Sequence, residues 1–198
     1  MNENAIFTRK SLIRLIWPLV VEQILAVTIG MADTVMVASC GEAAVSAVSL
    51  VDSINVLLIN IFAALATGGA IICSQYIGRD DHKSANVAAK QLLIVTLGIS
   101  ALIMAVCLIA CNGLLTLVFG KADNEIMENM AVYFLWSAAS YPFIAIYNAG
   151  AALFRAMGNS RVSMLTALLM NGINIGGNAL LIYGVGMGMA GAAIASLV

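Results

Sequence analysis

The sequence predicts an all-α membrane protein: a transmembrane bundle with five complete spans and the start of a sixth. Three observations carry that expectation. Apolar residues fill 62% of the 198 positions and mean hydropathy is +1.02, while charged residues, at 10%, are too few to coat a water-facing globule, which carries about 25%. The apolar residues form runs long enough to cross a ~30 Å hydrocarbon core, which needs about 20 helical residues. The basic residues gather in alternate connections between those runs. A spanning sheet would have to close and would alternate over ~10 residues, a pattern absent here. Lipid is therefore the first partner implied. A formal net charge of −1 gives no reason to expect nucleic acid.

Each element follows in order. The first span covers about 13–38, behind Arg9, Lys10 and Arg14, and contains Pro18, Glu22 and Asp33. A second covers 48–77, with Asp52 near its start and Gly68-Gly69 within it. The third covers 88–111, entered through the charged turn Arg79–Lys83 and Lys90. After a connection expected over 112–126, the fourth covers 127–153 and contains Pro142. Arg155 and Arg161 flank the joint to the fifth, 162–183, which holds Asn171, Asn174 and Asn178. A sixth opens near Met189 and reaches Val198 with no polar stop, so the expected unit, 1–198, is a bundle cut inside helix six. The basic residues Arg9, Lys10, Arg14, Arg79, Lys83, Lys90, Arg155 and Arg161 lie on one side of this arrangement and only Lys121 on the other. By the positive-inside rule the N-terminus is expected in the cytoplasm.

Several local patterns carry little. Gly186-Met-Gly-Met-Ala-Gly191 satisfies G-x-G-x-x-G, but no strand precedes it. Val37-Ala-Ser-Cys40 imitates a processing site, yet the apolar run before it is too long and holds two acids. Cys40, Cys73, Cys107 and Cys111 lack metal-ligand spacing and read as small hydrophobes. His82 reads as a solvated turn residue. No hydrolase or metalloenzyme signature occurs, and no enzymatic activity or cofactor is expected.

Polar residues inside the spans carry more, because an ionisable group in hydrocarbon is costly. Glu22 and Asp33 return to within about 20° of one helix face and stand ~16 Å apart along the axis. Asn171, Asn174 and Asn178 share an arc of about 60°. Interhelical hydrogen bonding, helped by close approach at Gly172, Gly176 and Gly177, is the bland reading of that stripe. Depth supports a sharper one. Counting inward from the outer ends of their spans, Asp33, Asn178 and Ser196 reach a common level roughly 8–10 Å below the boundary, with Asp52 near it. Carboxylate, carboxamide and hydroxyl oxygens at one depth suit a proton or a hard cation such as Na⁺. Pro18 and Pro142, which cannot donate a backbone hydrogen bond, are candidate hinges.

These segments also resemble, in order and topology, the multidrug and toxic compound extrusion (MATE) family of cation-coupled antiporters. The residues that carry the resemblance are Trp17-Pro-Leu-Val-Val-Glu-Gln23, Gly30-Met-Ala-Asp-Thr-Val-Met-Val37, Ser74-Gln-Tyr-Ile-Gly78, Phe154-Arg-Ala-Met-Gly-Asn159, Asn174-Ile-Gly-Gly-Asn178 and Gly191-Ala-Ala-Ile-Ala195. The resemblance implies a twelve-helix transporter of two six-helix bundles, of which this chain is the first. The second bundle and a small organic compound would be its partners, in a prokaryotic plasma (inner) membrane. It implies a secondary active antiporter exporting organic cationic or neutral compounds by alternating access. Na⁺ or H⁺ would be the coupling ion, held by Asp33, Asn174 and Asn178. Ser196 stands where many members have threonine. Some relatives carry aspartate where Asn178 stands, which leaves the ion open. Asp52 falls outside the family pattern; it, Glu22 and Asn171 are additional candidates. Two alternatives remain. A flippase for lipid-linked saccharides would need basic residues within the spans to meet a polyanion, and a non-transport membrane subunit would have no use for Glu22 and Asp33.

Overall fold

The computed structural model describes residues 9–39, 41–120, 123–185, 191 and 194–195. They form helices α1 (Arg9–Ala38), α2 (Glu42–Gly78), α3 (His82–Ile109), α4 (Cys111–Phe119), α5 (Asn124–Ala156) and α6 (Ser160–Asn178). A π-helical segment, Ala179–Gly184, continues α6 without a break. Gly191, Ile194 and Ala195 are helical and belong to the opening of the expected sixth span. Among the described residues there is no strand, and five helices are long and apolar enough to cross a membrane: α1, α2, α3, α5 and α6 with its π-helical continuation. The fold is all-α, and the five expected spans are these five.

The helices outrun the expected spans at their polar ends. α2 starts at Glu42, α3 at His82 and α5 at Asn124, each several residues before the apolar run. Hydropathy marks only the part of a helix that suits hydrocarbon, while hydrogen bonding carries the coil on into polar sequence. At α3 the extension is capped. Asp81 Oδ1 accepts a hydrogen bond from Ser84 N at 3.0 Å, and bonding from Ser84 holds the Asp81 carboxyl below its ordinary pKa. The turns are tight: Gly41 (φ 109°) joins α1 to α2 and Gly158 (φ 76°) joins α5 to α6, in left-handed conformations natural to glycine.

The connection expected over 112–126 holds a short helix of its own, since Cys111–Phe119 forms α4. Nine residues rise only about 14 Å, too short to span. Instead Cys111 and Leu115, one turn apart, sink into the bundle core and the rest of α4 covers its end.

Packing sorts the helices into two packs. α2 lies along α5, α3 leans on both, and α4 closes over α5; α1 packs chiefly on α6. Small residues make the first pack dense: Ala47, Ala66, Ala138, Ala145 and Ala149 are all buried. Phe62, Phe134 and Tyr141 fill the space between them, with the Phe62 and Tyr141 rings 6.0 Å apart and tilted by 58°. Gly69 serves the same closeness, since a Cβ there would run into the side chain of Leu92 on α3. Side chains such as Ile94, Leu102, Ile109, Leu117 and Phe143 point outward and are well exposed, which suits lipid and would be a liability in water.

Candidate functional site

Asp33 is placed by the outer half of α1, and Asn174 and Asn178 by consecutive turns of α6, the helix on which α1 packs. Their i, i+4 spacing sets the two asparagines one above the other. Asn178 Nδ2 donates to Asp33 Oδ1 at 2.6 Å and to Asn174 Oδ1 at 3.0 Å. Asn174 Nδ2 in turn donates to the Ala195 carbonyl at 3.2 Å. A hydrogen-bonded line thus joins α1, α6 and the start of the next helix. Asn178 and Asn174 are buried and Asp33 is half-buried.

One atom in this line is unsatisfied. Asn178 Oδ1 is buried with no hydrogen-bond partner among the described residues. A buried acceptor left bare costs about 1–3 kcal/mol. The α-helical ladder also ends at this point. The π-helical segment starts at Ala179, and Val185 N reaches back five residues to Leu180 O at 3.0 Å. Such wide turns recur at functional sites because they re-aim the carbonyls around them.

The other sequence candidates fall elsewhere. Asn171 is half-buried and stands outside the line of bonds. Ser196 lies outside the described residues. Of the glycines expected to allow close approach, only Gly177 does so, against Ala195; a Cβ on Gly172 or Gly176 meets nothing. Pro18 is buried and Pro142 half-buried, each inside a continuous helix. Cys73, Cys107 and Cys111 are buried free thiols, and Cys40 lies outside the described residues.

Glu22 has a partner that sequence reasoning did not find. Its Oε1 accepts from Arg155 Nη1 at 3.3 Å and from the Tyr147 hydroxyl at 3.5 Å, both on α5. Arg155 sits in the last turn of its helix, so the basic end of α5 reaches an acid inside α1. Asp52 also has a retinue. Its Oδ1 accepts from Asn55 Nδ2 at 3.1 Å and from the Tyr133 hydroxyl at 3.2 Å. The signal for it lay in plain view: Asn55 is one turn from Asp52, and Tyr133, Ser137 and Tyr141 form a stripe at intervals of four on α5.

Among the described residues no three His, Cys, Asp or Glu side chains converge as metal ligands. An apolar cleft of about 520 Å³ between α2, α3, α4 and α5 is lined by Leu57, Leu102, Val106, Leu114, Phe119 and Phe134, and neither Asp33 nor Asp52 lines it. The chemistry available at Asp33 is therefore that of oxygens: a carboxylate beside carboxamides, able to hold a proton or a hard cation.

Comparison with known proteins gives a consistent picture. A family model described as MatE matches residues 18–180. The chain is 32% identical over 191 residues to the "Uncharacterized transporter YisQ" of Bacillus subtilis (strain 168), covering 94% of this chain and 41% of that one. It is 25% identical over 196 residues to the "Probable multidrug resistance protein NorM" of Thermotoga maritima, covering 96% and 41%. A solved structure described as the outward-facing conformation of a multidrug resistance MATE family transporter of the MOP superfamily superposes with a TM-score of 0.88. Its sequence identity is 28%, and the match covers 95% of this chain and 41% of that one. The chain thus spans about two-fifths of the length of these relatives.

Proposed function

The chain belongs to the MatE family, and from that membership and the contact at Asp33 we propose that it is the first six-helix bundle of a secondary active antiporter. In this reading the whole transporter exports organic cationic or neutral compounds in exchange for Na⁺ or H⁺. It sits in a prokaryotic plasma membrane, with the chain's N-terminus in the cytoplasm and a second bundle as its partner. The bacterial origin of both relatives supports the setting, and the one-sided placement of basic residues supports the orientation.

The observation that carries the reading is the 2.6 Å bond from Asn178 to Asp33 beside an unpartnered Asn178 Oδ1. A carboxamide has two faces. Its N–H groups suit a bare carboxylate, and its oxygen suits a cation or the O–H of a protonated acid. When the coupling ion reaches Asp33, a half-turn of the Asn178 side chain replaces donor by acceptor and satisfies the bare oxygen. That exchange releases Asn174 and changes what ties α1 to α6. Alternating access needs such a link between ion occupancy and helix packing. Pro18 and Pro142 are the hinge candidates through which the shift would spread.

The test is efflux of a fluorescent organic cation from proteoliposomes holding the full-length transporter, with Na⁺ and pH gradients imposed separately. Efflux should follow one of the two gradients and collapse when it is abolished. Equal efflux with both gradients absent would contradict antiport.

A further inference from the structure

We propose that Glu22, Arg155 and Tyr147 form a single-point joint on which α1 and α6 turn together against α5, with Arg155 as its positioning residue. The proposal rests on the reading of Asp33 as the carrier of the coupling ion. α1 packs chiefly on α6 and has no packed face on α5, so the tie between α1 and α5 is made by long side chains reaching across. Arg155 Nη1 and the Tyr147 hydroxyl both donate to one atom, Glu22 Oε1, at 3.3 and 3.5 Å. Glu22 Oε2 is buried with no hydrogen-bond partner among the described residues. An arginine fork on both carboxylate oxygens would fix the angle between the helices. Bonds that converge on one oxygen fix a distance and leave the angle free.

The same stretch of α5 also holds α6. Tyr147, Ala151 and Arg155, at intervals of four, share one face of α5. The Ala151 carbonyl accepts a hydrogen bond from Ser163 Oγ of α6 at 3.1 Å. Both helices that carry the Asp33–Asn178 contact are thus anchored on two turns of one neighbour, just ahead of the Gly158 turn that joins α5 to α6. Glu22 and Asp33 stand about 16 Å apart along α1, so the anchor and the ion-binding contact lie at different depths of the same two helices. Charge makes the joint permanent. Arginine keeps its proton, and the pair with Glu22 is complete whatever occupies Asp33. Arg155 also neutralises Glu22, which removes that acid from the candidates for the coupling ion. A fixed anchor at one depth and an exchangeable bond at another make a lever. Ion binding at Asp33 then becomes a turn of α1 and α6 against the rest of the bundle. An ion pair that served only as glue between helices would contribute to folding and not to this conversion.

The experiment uses the full-length transporter in wild-type, E22Q, R155Q and doubly substituted forms. Ion binding is read in detergent as ²²Na⁺ binding at pH 8 or as proton uptake after a pH step, whichever the wild type shows. Efflux of a fluorescent organic cation is read in proteoliposomes, per folded transporter. Each variant should bind the ion within about threefold of wild type, since the substitutions lie far from Asp33. Efflux should fall on the order of tenfold or more in all three, the usual size of a coupling between sites. The double variant should be no worse than either single one, because each removes the same joint. A single substitution leaves a lone charge within the bundle and can lower folded yield, whereas the double variant removes both charges. Wild-type efflux from the double variant would overturn the proposal and leave the pair as glue. Loss of ion binding together with efflux would overturn it too, and would put Glu22 in the ion site. If the double variant folds poorly, R155K decides. Lysine keeps the charge and donates from one atom, which is all a single-point joint asks. Efflux per folded transporter should then return to within about threefold of wild type while R155Q stays low; equal efflux from R155K and R155Q overturns the proposal. Unchanged ion binding by D33N in the same assay would instead sink the reading of Asp33.

Discussion

Asn178 gives away both carboxamide hydrogens while its oxygen has no partner among the described residues, and that asymmetry makes it the most informative residue to change. Asn178→Asp removes the donors that face Asp33 and adds a negative charge beside it. Cation affinity should rise on the order of tenfold, the effect of one added charge at close range, and ²²Na⁺ or proton binding by the full-length transporter would show it. Weaker binding would mean that the Asn178 donors hold the site in shape and that charge matters less. The Asp33–Asn178 contact was legible in the sequence because both residues could be counted inward from span ends at ~1.5 Å per residue. The Glu22–Arg155 pair was not. The two residues stand in different helices, and the long arginine stem carries its charge inward from the helix end, which residue position alone does not reveal.

The existence of the long helices was legible in composition but their starts were not, since α2, α3 and α5 begin several residues before their apolar runs. The five long helices follow from apolar run length, but α4 hides in an apolar stretch too short to be a span, with Cys111 and Leu115 turned into the core. The π-helical segment after Asn178 leaves no mark in the sequence, since the choice between four- and five-residue hydrogen bonding is made by packing. That packing can be tested. A Cβ on Gly191 would stand 3.0 Å from the Leu181 backbone carbon, which cannot swing aside as a side chain can. Gly191→Ala should therefore cost about 1–3 kcal/mol, the usual range for overpacking, and lower the thermal unfolding temperature. Gly98→Ala, inside α3 with open space around it, should be neutral or stabilising by up to about 1 kcal/mol. Equal effects at both positions would remove the close approach of α6 and the following helix from the explanation.

For the molecule as a whole, the helices sort into two packs, α1 with α6 and α2 with α3, α4 and α5. Buried alanines and aromatics of α2 and α5 seal the second pack. The orientation proposed above rests on the placement of the basic residues and can be tested. Single cysteines at Glu42 and Asn124, introduced into the full-length transporter, should label from outside in intact cells. One at Asp81, in the turn before α3, should label only after the membrane is opened. The reverse pattern would invert the bundle. The central claim is that Asp33 carries the coupling ion, and gradient-driven efflux by Asp33→Asn proteoliposomes addresses it most directly. The substitution preserves shape and hydrogen-bonding capacity while removing the titratable, cation-binding state. Efflux should fall to the level of empty liposomes while folded yield stays near wild type. Full coupled efflux from Asp33→Asn would contradict that claim. A loss of folded protein, as when a buried charge that a fold depends on is removed at a cost of about 3–5 kcal/mol, would also contradict it.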